Sequence, residues 1–162
     1  AVAMAGVKID DKTPWDSPQR MIASSFSHPG TKLSLMPANG KKLLEAALSA
    51  FRLGRYDRSV DLLDRFFQQF PEHPRAAEVG FYLAESYFYL GKLEQSVRSI
   101  DVVLTHYPET PFAALALMRL GRILEVKERI EDAADVYLSV MANYPNSVAA
   151  SMAEKQLRGL NL

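Results

Sequence analysis

The chain has 162 residues, 48% of them hydrophobic, which suits one domain with its own core and excludes a chain disordered throughout. Lysine plus arginine balances aspartate plus glutamate, 19 against 19, so no overall field draws the protein to nucleic acid or to an anionic membrane. Cysteine is absent, which removes disulfides, thiolate metal sites and cysteine nucleophiles together. No apolar run approaches the roughly 18 to 20 residues needed to span a bilayer, so direct membrane insertion is not expected. The chain starts with Ala1 and reads as a processed or cloned fragment, so an upstream leader or lipid-anchored cysteine stays open.

Residues 1–38 form an irregular N-terminal segment. Pro14, Pro18, Pro29 and Pro37, with Gly6 and Gly30, leave little room for a long helix. One short helix from Ser17 to Ser24 is predicted, with Pro18 in its first turn. Trp15, Met21, Ile22, Phe26 and Leu33 are candidate anchors by which this segment fills a groove, caps the first hairpin or associates with a second copy.

From Asn39 onward apolar residues recur at spacings of three and four, the period of a buried helix face. "KKLLEAALSAFRLG" predicts a helix stopped by Gly54, and "YDRSVDLLDRFFQQF" a second one ending before Pro71. The pattern returns as "RAAEVGFYLAESYFYLG" and "KLEQSVRSIDVVLTHY", and again as "PFAALALMRLGRILEVK" and "RIEDAADVYLSVMANY". Pro71, Pro108 and Pro145 close the three rounds at an interval of 37 residues. His73, Thr110 and Ser147 precede the next helix, with Pro74 and Pro111 in its first position. "SVAASMAEKQLRGL" is a last helix with no partner after it.

The rounds align without a gap. Ala47, Ala84 and Gly121 correspond and are all small; so do Ser59, Ser96 and Ala133. Leu63, Ile100 and Tyr137 are large at one shared place, as are Phe66, Val103 and Val140. Two antiparallel helices approach closely where both present small side chains, and large ones fill the space between hairpins.

This pattern resembles the tetratricopeptide repeat, a helix-turn-helix unit of about 34 residues. The turn glycines, the small pairs and the closing prolines match; Glu128 in place of a turn glycine and Gly80 at a usually bulky place depart from it. The resemblance implies an all-α right-handed solenoid of three hairpins, 39–75, 76–112 and 113–149, with a capping helix at about 148–157. The form aromatic-Pro-x-Ser/Thr-Pro-x-Ala-Ala is similar to repeats of two exported bacterial families. These are the periplasmic Tol–Pal-associated cell-division coordinator and the outer-membrane lipoprotein of the barrel-assembly machinery. That likeness implies a periplasmic or outer-membrane-associated protein, in envelope assembly or cell division, with a cytoplasmic adaptor or the interaction domain of a larger protein as the alternative. The coordinator's N-terminal coiled coil has no counterpart in residues 1–38.

Catalytic motifs are missing. His28, His73 and His106 show no metal-ligand spacing, and there is no nucleophile elbow or phosphate-binding glycine loop. No cofactor or metal is expected, and an enzyme reading reduces to a hydrolase using Glu78, Glu85 or Glu125. The cluster Arg52, Arg55 and Arg58 reads as a solvated turn or as a grip for an acidic group. In this repeat class the first helix of each hairpin lines a concave groove. The register then assigns Lys41, Leu44, Leu48, Phe51 and Arg52 from the first repeat. The second gives Glu78, Phe81, Glu85, Phe88 and Tyr89, and the third Leu115, Met118, Arg122, Glu125 and Val126. A peptide or helix of a protein partner is the expected occupant. Leu44, Leu48, Phe51, Arg52, Phe81, Glu85, Phe88, Tyr89, Met118 and Arg122 are its candidate contacts, with the aromatic rings as anchors.

Overall fold

The computed structural model describes residues 38–160; the segment before them, with its predicted helix and anchor residues, lies outside the described residues. Seven helices follow in order among the described residues: α1 (Ala38–Arg52), α2 (Tyr56–Gln69), α3 (Ala76–Tyr89), α4 (Leu93–His106), α5 (Pro111–Val126), α6 (Ile130–Asn143) and α7 (Val148–Gly159). They pair as antiparallel hairpins α1–α2, α3–α4 and α5–α6, each stacked on the next, with α7 packed on α5 and α6. The result is an all-α solenoid.

Each hairpin closes by the same chemistry. Gly54 and Gly91 adopt the left-handed conformation, both at φ 71°, and Glu128 does so at φ 58°. That residue's N–H bonds back three residues, and the next N–H bonds back five: Arg55 to Ala50, Lys92 to Tyr87 and Arg129 to Leu124, all at 2.9 Å. This paired closure satisfies carbonyls that the helix end leaves open. Glycine adopts the conformation without strain; Glu128 is held in it by the same two bonds.

The joints between hairpins also repeat. The N–H groups of Phe70, Tyr107 and Tyr144 bond four residues back to Phe66, Val103 and Val140. The N–H groups of His73, Thr110 and Ser147 then bond to those same aromatic residues, and Ala76, Ala113 and Ala150 bond to His73, Thr110 and Ser147. Proline fits the place after each aromatic residue, where no N–H is used. Two starts follow the sequence expectation: Pro111 opens α5, and Ser147 caps α7 by accepting the Ala150 N–H at 3.0 Å. The third differs, because α3 begins at Ala76 and not at Pro74. There the His73 Nδ1 takes the Arg75 N–H at 3.0 Å, forming a side-chain turn that delays the helix by two residues. Burial, then Arg75, lowers the His73 pKa, consistent with a neutral ring accepting that bond.

The small residues lie where the helices touch. Ala47, Ser59, Ala84, Ser96 and Ala133 have no exposed surface. Ser59 donates its hydroxyl to the Ala47 carbonyl at 3.2 Å, and Ser96 to the Ala84 carbonyl at 2.7 Å, so these serines are buried without a lost hydrogen bond. Around them the core divides at α3. Leu44, Leu63, Phe66, Val79 and Leu83 pack on the first-hairpin side; Ile100, Val103, Leu117, Ile123, Val136 and Tyr137 pack on the other.

Candidate peptide-binding face

First helices contact one another along the stack, α1 with α3, α3 with α5 and α5 with α7, while no pair of second helices has contacts of comparable extent. The stack is therefore tighter on the first-helix side, which makes that side concave. Residues 37 apart occupy equivalent places on it, so Phe51, Phe88 and Glu125 form one row and Arg52, Tyr89 and Val126 the next.

The structure places the ten candidate contacts at very different depths. Leu44 is fully buried and Met118 is 6% exposed; both belong to the core and present almost nothing to a partner. Leu48 and Phe81 are half-buried and pack against the core, Phe81 beside Phe112 with ring centres 5.8 Å apart. Glu85 is 8% exposed, and Arg52 and Arg122 are exposed. Phe51, Phe88 and Tyr89 come together as one aromatic surface, with Tyr89 at 50% exposure its most open member. Val126, in the same row as Tyr89, is 57% exposed.

That surface draws in rings beyond those of the sequence reading. Phe51 meets Tyr82 edge to face at 5.0 Å and Tyr56 at 5.4 Å, and Tyr56 stacks on Tyr89 at 4.7 Å with planes 13° apart. Each such contact adds about 1 kcal/mol beyond burial. The repeat register does not point to Tyr56 or Tyr82, because Tyr56 opens a second helix and Tyr82 lies sideways between α1 and α3. Both still reach the seam from neighbouring turns.

Arg119 is the other addition. Its guanidinium forms a two-pronged pair with Glu85, through Nε to Oε1 and through Nη2 to Oε2 at 2.6 Å. It lies 4.1 Å above the Phe88 ring centre and 5.5 Å from that of Tyr89. Burial opposes the charge, but the bonds and charge of Glu85 outweigh it and hold the Arg119 pKa above its ordinary value. Arg119 thus braces α3 on α5 and fixes the ring that borders the groove. The two remaining carboxylates of the hydrolase reading are paired as well. Glu78 takes both prongs of Arg75 at 2.6 and 2.7 Å. Glu125 accepts from Arg122 at 2.8 Å and from the Tyr137 hydroxyl. Burial and then that bond to Glu125 push the Tyr137 pKa up. Among the described residues no group of histidine, aspartate and glutamate could hold a metal ion, and no helix is long and apolar enough to cross a membrane.

Stacked hairpins, shared closures and a ring-lined concave side define a helical-repeat protein. The chain matches the tetratricopeptide repeat profile over residues 44–79 and 81–148 and belongs to that family. Two solved structures share the fold. The Arabidopsis OM64 TPR domain has 18% identity and a TM-score of 0.61, covering 74% of this chain and 94% of its own. The first TPR of Spaghetti (RPAP3), bound to the HSP90 peptide SRMEEVD, has 20% identity and a TM-score of 0.62, covering 79% and 94%. No curated protein matches the chain.

Proposed function

We propose that this protein is a binding scaffold that holds a segment of a protein partner along its concave face. The observation that carries this reading is the aromatic surface of Phe51, Phe88 and Tyr89 on successive first helices, joined by Tyr56 from α2, flanked in register by Val126 and left partly open. Exposed aromatic rings held rigid by neighbours are what binding hot spots are made of. A structural neighbour that carries a peptide supports the same use of the fold.

The setting proposed is the bacterial envelope, in assembly or cell division, on the strength of the aromatic-Pro-x-Ser/Thr-Pro-x-Ala-Ala joints. The test is capture from native envelope and cytosolic fractions by the intact chain and by a Tyr89→Ala/Val126→Ser variant whose helicity matches it. The proposal predicts one partner, taken from the envelope fraction and lost by the variant. Equal capture by both proteins would remove the concave face from the account; a partner found in the cytosolic fraction alone would remove the envelope setting.

A further inference from the structure

We propose that the concave face neutralises its own charges and so takes a peptide segment with an uncharged, aromatic or aliphatic centre, rejecting acidic runs. The inference rests on the concave-face reading above and specifies its ligand. Helices α3 and α5 carry three carboxylates, Glu78, Glu85 and Glu125, and two cations, Arg119 and Arg122; Arg75, just before α3, is the third. All six are spent on one another, as Arg75–Glu78, Arg119–Glu85 and Arg122–Glu125. An acidic ligand seeking Arg119 would have to displace Glu85 from a two-pronged pair whose side chains are only 17% and 10% exposed. Displacement would strand a shielded carboxylate, which is the costly outcome for a buried pair. Arg122 is likewise engaged by a carboxylate that the Tyr137 hydroxyl also holds.

What faces outward between these pairs is apolar: Tyr89, Val126 and the accessible parts of Phe51 and Phe88. Binding strength there must come from ring and methyl contacts, not from charge. Arg52 on α1 has no ion pair among the described residues, so one acid at that end of a ligand is tolerated. The face differs in kind from one that grips an acidic peptide such as SRMEEVD.

The experiment selects displayed random twelve-residue peptides on the full chain and measures the enriched sequences, made synthetically, beside SRMEEVD. Enrichment of aromatic and aliphatic residues with depletion of acids is expected, with SRMEEVD weaker than the best enriched peptide by about tenfold or more. Glu85→Gln keeps the shape and releases Arg119; SRMEEVD should then bind about tenfold tighter than to the unaltered chain. Because this leaves a shielded arginine, the more exposed Glu125→Gln, which releases Arg122, serves as a second variant, and circular dichroism checks both. Acidic peptides enriched on the unaltered chain, or SRMEEVD bound as tightly as the best peptide, would overturn the charge inference and leave the concave face standing. Folded variants with no gain for SRMEEVD would overturn it too. No enrichment of any peptide would overturn both readings.

Discussion

In the first two hairpins, a serine on the second helix donates its hydroxyl to an alanine carbonyl on the first, Ser59 to Ala47 and Ser96 to Ala84. The third hairpin has Ala133 there, and sets the ring of Tyr137 against Gly121 where the others set Leu63 and Ile100 beside an alanine. A methyl group built on Gly121 would overlap the Tyr137 ring. The third hairpin thus gives up a methyl and a hydroxyl to seat a larger side chain. The gain is reach: the Tyr137 hydroxyl passes through the hairpin to Glu125 on the concave side. What repeats is the space between helices, not the residues that fill it. A change of filling ties one hairpin's core to the binding face.

The comparison breaks first, if it is wrong, at Gly121. Gly121→Ala should cost about 3 kcal/mol in denaturant unfolding, since the ring it meets is fully buried. Adding Tyr137→Leu, the first hairpin's residue, should recover part of that loss even though the Glu125 bond goes with it. A double variant no more stable than Gly121→Ala would mean that the two positions are not exchanged for one another.

A smaller effect separates the hairpins at their serines. Ser96→Ala, copying Ala133 into the second hairpin, should cost about 1 kcal/mol by loss of a buried hydrogen bond between the two helices. The turns give a change of opposite sign. Glu128→Gly should stabilise by about 1 kcal/mol, because the residue already holds a left-handed backbone that glycine adopts freely. The smallest effect is alkaline. Tyr137 has a raised pKa in the folded chain, so as pH climbs past the ordinary tyrosine value the unfolded state loses its proton first and stability falls. Tyr137→Phe should fall less steeply over that range in urea titrations.

These contrasts also mark what the sequence discloses and where it stops. The glycine turns, the proline joints and the small-residue contacts obey local rules at a fixed period, so three copies at 37-residue spacing made them readable. Glu128 stood out for the same reason. Leu44 and Met118 were assigned to the groove with their helix, but a first helix also packs against its neighbours, and a rotation of one residue separates groove from core. Arg119 was invisible for a related reason. It pairs with Glu85 across 34 positions, one helical turn short of the repeat, so matching equivalent places set Glu85 beside Arg122 instead. Register between stacked hairpins is set by packing, and no single helix states it. The delay of α3 to Ala76 likewise depends on a histidine side chain taking a backbone N–H, a choice that the proline pattern hides.

The central claim is that the first-helix side is where a partner binds. A photo-crosslinking amino acid placed at Tyr89, and separately at the exposed Arg65 on α2, tests it most directly in cells of the native host. The account predicts a defined crosslinked partner from position 89 and none from position 65. The same partner captured from position 65 alone would contradict it and move the binding surface to the second helices.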